Sequence, residues 1–127
     1  MPKNTLHGLA KALRDLHRSL VEVERNNYER EWGPVGDGGQ LLQLLTRHPQ
    51  FDWLRQLSEF IVDIDELAEQ QIVTDSDVRA IARQANALLT VSEGDSSDFS
   101  RRYVALLQDH PALVMAHANV RRVLAAP

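Results

Sequence analysis

Leu6, Leu9, Leu13, Leu16, Leu20, Val23 and Asn27 recur by threes and fours. That spacing sets them on one stripe of a helix. The pattern predicts a helix from about Thr5 to about Glu31, with Asn4 or Thr5 offering a side-chain oxygen to the free N–H groups at its start. At about 1.5 Å per residue it would be roughly 40 Å long, so it needs long partners. The segment "WGPVGDGG", Trp32 to Gly39, ends it, because four glycines and a proline oppose helical continuation. Neither a preceding strand nor a following Lys-Ser/Thr makes this a phosphate-cradling loop, so it reads as a connector between helices.

Gln40 to Arg47 reads as a short apolar helix closed by His48-Pro49. Proline favours the first turn of a helix and pushes the residue before it out of the α region. The helical pattern resumes at Gln50 and runs to about Gln71, with Trp53, Leu54, Leu57, Phe60, Ile61, Ile64, Leu67 and Ala68 on one broad apolar face. Gln40 to Gln71 is therefore expected to form one kinked antiparallel arm. Thr74 with Asp77 three residues on resembles a capping box. Val78, Ile81, Ala82, Ala85, Leu88 and Leu89 then line a helix expected to end near Val91. After the polar loop "SEGDSSD", Ser96 or Ser97 is placed to cap a helix that buries Phe99, Tyr103, Leu106 and Leu107. His110-Pro111 breaks it, and a last helix carries Leu113, Val114, Val120, Val123 and Leu124.

The octets "LLTRHPQF" and "LLQDHPAL" repeat one device, a leucine pair followed by His-Pro. His-Pro stops one helix and starts the next, and the imidazole lies where unpaired N–H groups need an acceptor. The alternative is that His48 and His110 are paired metal ligands, which requires the two junctions to meet. Both halves read helix, loop, short helix, His-Pro, helix, a candidate pseudo-repeat with almost no identity outside the octets. No segment alternates with period two, so no sheet is expected. The expected fold is an all-α bundle of four arms, two of them kinked or broken at His-Pro, in one domain over residues 1–127.

A chain of 127 residues can bury a core without metal or disulfide help. It has no cysteine, which excludes disulfides and thiolate chemistry and fits a reducing compartment. The net charge of −4 argues against nucleic acid, whose binders draw affinity from basic surplus, although Arg101, Arg102, Arg121 and Arg122 supply local charge. No apolar run reaches the roughly 18–20 residues of a membrane span, and the N-terminal pattern lacks a signal-peptide core. A cytoplasmic location is the expectation.

Chemistry, if present, would rest on polar residues along apolar faces. His17, Glu24 and Glu31 flank the first leucine stripe one heptad apart, and Tyr28 lies one turn from Glu24. Asp65 sits at the margin of the next apolar face, and His117 lies one turn from both Leu113 and Val120. A bundle could bring Glu24, Asp65 and His117 together as a divalent-metal site. Against this, the Glu-x-x-His and His-Glu-x-x-His motifs are absent. The plainer alternative gives Glu24 and Asp65 ordinary hydrogen-bond partners at the bundle's edge. The run "SEFIVDIDELAEQ" carries Glu59, Asp63, Asp65, Glu66 and Glu69 without a base. It reads as a solvated acidic face, or alternatively as a row able to hold a hard cation. No serine sits in a strand-turn-helix elbow, so triad catalysis has no support. Tyr28, Trp32, Phe51 and Trp53 cluster at the glycine-loop end, either as an exposed interaction surface or as the closing layer of the core.

The stretches "ERNNYEREWGPV", "QLLQLLTRHPQFDWLRQLSEFIVDIDEL" and "LVMAHANVRRVLA" resemble those of a group of small all-helical bacterial proteins without an established function. The resemblance implies a bacterial, cytoplasmic helical protein and carries over no activity. The leading expectation is a non-enzymatic helical interaction module, engaging a protein partner or a second copy of itself. The alternative is a metal-binding or metal-assisted hydrolase bundle built on Glu24, Asp65 and a histidine.

Overall fold

A computed structural model describes residues 2–89 and 98–125. These residues form helices and no strand: α1 (Pro2–Trp32), α2 (Gly38–Arg47), α3 (Pro49–Asp52), α4 (Arg55–Ala68), α5 (Asp75–Leu89), α6 (Asp98–Asp109) and α7 (Pro111–Ala125). The all-α class expected from the periodicity is the one observed. No helix is long and apolar enough to cross a membrane among the described residues.

The long first helix organises the rest. α1 packs chiefly against α7 and α4, with lighter contacts to α3 and α5. Its buried stripe is Leu6, Leu9, Leu13, Leu16, Leu20 and then Glu24, with Ala10 and Ala12 beside it. The expected continuation through Val23 and Asn27 is only half-buried. A straight α-helix turns about 20° per heptad away from a 3.5-residue repeat, so the buried line drifts one position along. The helix also begins earlier than expected. Asn4 and Thr5 lie inside its first turns and are not its caps.

α4 runs antiparallel to α1, because Trp53 just before it meets Glu24 while Asp65 near its end meets Arg14. Thr5, Leu6 and Leu9 share a small cavity with Val78, Ala82, Val123 and Leu124. The starts of α1 and α5 and the end of α7 therefore converge. Arg121 Nη1 donates to Asn86 Oδ1 at 2.8 Å, linking α7 to α5. Trp53 packs on Phe99 with ring centroids 5.4 Å apart, joining the start of α4 to α6. Phe99 stacks on Tyr103, and both are buried in the core.

The expected helix from Gln50 to Gln71 is interrupted. A tighter turn at Trp53 and Leu54 separates α3 from α4, although both residues keep right-handed helical dihedrals. Phe51, Trp53, Leu54 and Leu57 are all buried. At about 100° per residue, Phe51 and Trp53 would point to opposite sides of one regular helix. The rewinding turns both inward. α4 then stops at Ala68, short of Gln71.

Two local devices match their sequence signals. The Thr74 N–H donates to Asp77 Oδ2 at 3.0 Å while the Asp77 N–H donates to Thr74 Oγ1 at 3.1 Å, a reciprocal capping box. The His48 Nδ1 accepts from the Gln50 N–H at 3.1 Å, so the first His-Pro junction caps the helix it starts. At the second junction the His110 carbonyl accepts from the Leu113 N–H at 3.0 Å, and among the described residues its ring makes no comparable bond. The expected end of α5 near Val91 and the capping role of Ser96 or Ser97 lie outside the described residues.

Candidate interaction surface

α2 is the element that least belongs to the core. Its sequence, GGQLLQLLTR, contains four leucines, yet none of its residues is buried. It packs mainly against the short α3. Leu44 and Leu45 are partly covered, and Leu42 is 61% exposed. Both ends of α2 are fixed all the same. Gly33 and Gly36 adopt positive φ angles of 95° and 89° in the turn that precedes it. These are left-handed conformations that favour glycine. Glu29 Oε2 accepts from the Val35 N–H at 3.2 Å, and buried Val35 anchors the turn. Asp37 then caps α2 by accepting from the Gln40 N–H at 2.9 Å. At the far end, Arg55 Nη2 donates to the Thr46 carbonyl at 3.3 Å and pairs with Asp52.

A cavity opens on each side of α2. The first, about 450 Å³, lies between α2, the end of α1 and the glycine turn, and is lined by Tyr28, Val35, Gln43, Leu44, Arg47 and His48 among others. The second, about 260 Å³, lies between α2 and the α1–α4 pair, with His17, Leu42, Leu45 and Phe51 in its walls. Burial lowers the pKa of His17 below its ordinary value, which favours the neutral imidazole. The ring of Tyr28 meets His48 edge-on at 5.2 Å and leans toward Trp32 at 6.5 Å. Trp32 is 63% exposed.

The four aromatic residues assigned to an interaction surface therefore divide. Trp32 is exposed and Tyr28 is half-buried beside the first cavity. Phe51 and Trp53 are 1% and 5% exposed, and their rings belong to the core. Assigning them to a docking face is corrected by that burial. The rewound turn after α3 is what draws them in. The residues missed by the sequence reading are the α2 leucines. Their signal was a short amphipathic helix flanked by two breakers, with no long partner to cover it.

The three candidate metal ligands are not brought together. Glu24, 6% exposed, accepts from Trp53 Nε1 at 3.2 Å and from Asn27 Nδ2 at 3.2 Å. Asp65 receives both of its oxygens' bonds from Arg14 Nη1, each at 3.1 Å. Arg14 and Glu24 are ten residues apart on α1, so the two carboxylates sit roughly 15 Å apart along its axis. His117 Nδ1 lies 2.6 Å from the Tyr103 hydroxyl. Burial raises the pKa of Tyr103 well above its ordinary value, so the phenol is neutral, and the His117 tautomer sets which partner of the pair donates. Burial, and secondarily the Arg121 charge, lower the pKa of His117. Among the described residues no three His, Asp or Glu side chains are grouped to hold a metal ion. The metal assignment of Glu24, Asp65 and His117 is thus corrected: each has a separate partner. Glu59, Asp63 and Glu66 on α4 and Glu69 just after it are exposed. The acidic run does carry one base against it, Arg14, supplied by α1.

Comparison with known proteins returned no match: no family model fits the chain, and neither the curated proteins nor the solved structures contain a significant relative.

Proposed function

We propose that this protein is a non-enzymatic helical interaction module, bacterial and cytoplasmic, whose α2 end associates with a second copy of the chain. The observation that carries the reading is that α2 is rigidly held at both ends while none of its residues is buried. Leu42, 61% exposed on α2, is costly to leave in water, at roughly 25 cal/mol per Å² of apolar area. Exposed Leu42 on α2 and exposed Trp32 at the end of α1 supply apolar anchors near one end of the molecule. Aromatic and aliphatic anchors of this kind dominate protein interfaces. A second copy is the economical occupant, because a two-fold contact lets one helix face cover its own counterpart. Val62 on α4, Ile72 between α4 and α5, and Val114 and Met115 on α7 are also exposed, and none of them lies on α2.

Sedimentation equilibrium over a wide concentration range tests this. The wild-type chain is expected to dimerise, and Leu42→Glu or Trp32→Glu to shift it to monomer with unchanged helical circular dichroism. A wild-type chain that stays monomeric at high micromolar concentration refutes self-association.

A further inference from the structure

The larger cavity beside α2 carries chemistry that self-association does not use. Its volume of about 450 Å³ is within the range typical of small-molecule sites. Its apolar lining includes Tyr28, Val35 and Leu44. The polar lining is two neutral amides, an imidazole and one guanidinium, from Gln40, Gln43, His48 and Arg47, and no aspartate or glutamate lines the cavity.

Among the described residues the donors there have no other partner. The Arg47 side chain makes no ion pair or hydrogen bond with the described residues. The His48 Nδ1 is occupied as acceptor from the Gln50 N–H. In the neutral imidazole the proton is then on Nε2, which remains a donor. The carboxylate that holds the turn is already neutralised. Glu29 spends Oε2 on the Val35 N–H at 3.2 Å and pairs Oε1 with Arg25 Nε at 3.4 Å. The walls are set before any ligand arrives, by the positive-φ glycines, the Asp37 cap and the His48 cap.

The geometry points to a binding site for a small aryl carboxylate, its carboxylate on Arg47 and its ring against Tyr28, Val35 and Leu44. A guanidinium matches a carboxylate with two parallel N–H donors. A flat ring suits a lining that includes the Tyr28 ring. An amine would meet the Arg47 charge with no carboxylate to offset it. The site uses neither Leu42 nor Trp32, so its failure leaves the dimerisation result untouched.

The test is a titration of the isotope-labelled full chain with 3-phenylpropionate, followed by amide chemical shifts. Saturable shifts are expected at Gln43, Leu44, Arg47 and His48. The uncharged analogue 3-phenylpropionamide, and the acid added to Arg47→Gln, are expected to bind about tenfold or more weakly, the loss typical of one charge-assisted hydrogen-bond pair. Arg47 is exposed, so its substitution leaves the fold intact. Arg83→Gln, on the exposed side of α5, serves as the charge control and should bind as wild type. Absence of saturable shifts, equal affinity for the amide, or undiminished binding by Arg47→Gln overturns the assignment. Binding of a phenylalanine-terminated hexapeptide without binding of the free acid also overturns it, in favour of a site that reads a chain end.

Discussion

The indole N–H of Trp53 donates to the buried carboxylate of Glu24 across 3.2 Å, joining the C-terminal half of the longest helix to the turn between α3 and α4. A second bond runs the same way, from Gln50 Nε2 to the Glu24 carbonyl at 3.1 Å. One residue thus fixes the register of α1 against the chain that returns along it. A buried carboxylate is costly unless its oxygens are occupied, and here Trp53 and Asn27 occupy both.

Replacing Glu24 by leucine removes the acceptor and leaves the indole N–H without a partner. The expected loss is about 1–3 kcal/mol in urea unfolding. Glu24→Gln keeps an acceptor oxygen and should lose well under half as much. Trp53→Phe in the Glu24→Leu background should cost less than in the wild type, because the unpaired donor is gone. Strictly additive effects would show that the bond does not hold the two segments together.

Acid should weaken the fold through His17 and His117. Both have folded-state pKa values lowered from 6.5, mainly by burial. The unfolded chain therefore takes up protons first as the pH falls. Stability from these groups is complete above the unfolded pKa and is lost as the pH drops through it toward the folded value. The thermal midpoint is expected to fall between about pH 7.5 and pH 5, and less steeply in the His17→Gln, His117→Gln double variant. A double variant with the wild-type slope would assign the pH dependence to other groups.

The two His-Pro junctions should respond differently to mutation. His48→Ala loses a ring nitrogen that caps the Gln50 N–H, along with the edge contact to Tyr28. A lost cap costs about 1 kcal/mol. His110→Ala loses no such bond and should stay within about 0.5 kcal/mol of wild type. Equal losses in chemical denaturation would mean that the capping bond contributes nothing specific.

Part of this structure was legible because it depends on neighbours in the chain. The leucine stripe of α1, the Thr74–Asp77 box and the proline junctions are all set within one or two helical turns. What escaped depends on residues far apart. The rewinding at Trp53 and Leu54 follows from a demand to bury Phe51 and Trp53 at once, and periodicity on one face cannot express it. The Glu24 pairing spans 29 positions, and the Arg14–Asp65 pair spans 51. Polar residues on apolar margins were correctly located on their helices. Reading them as one site required a convergence that the length of α1 forbids.

α2 is held by what precedes and follows it, namely two left-handed glycines, the Asp37 cap and the His48 corner, while its own leucines contribute little to the core. Placement and surface chemistry are therefore written in different residues. Mutations along the exposed face of α2 can accumulate without eroding the scaffold beneath it. A chain that exchanges exposed Leu42 for another side chain is therefore expected to keep the scaffold intact, with no stabilising change required first.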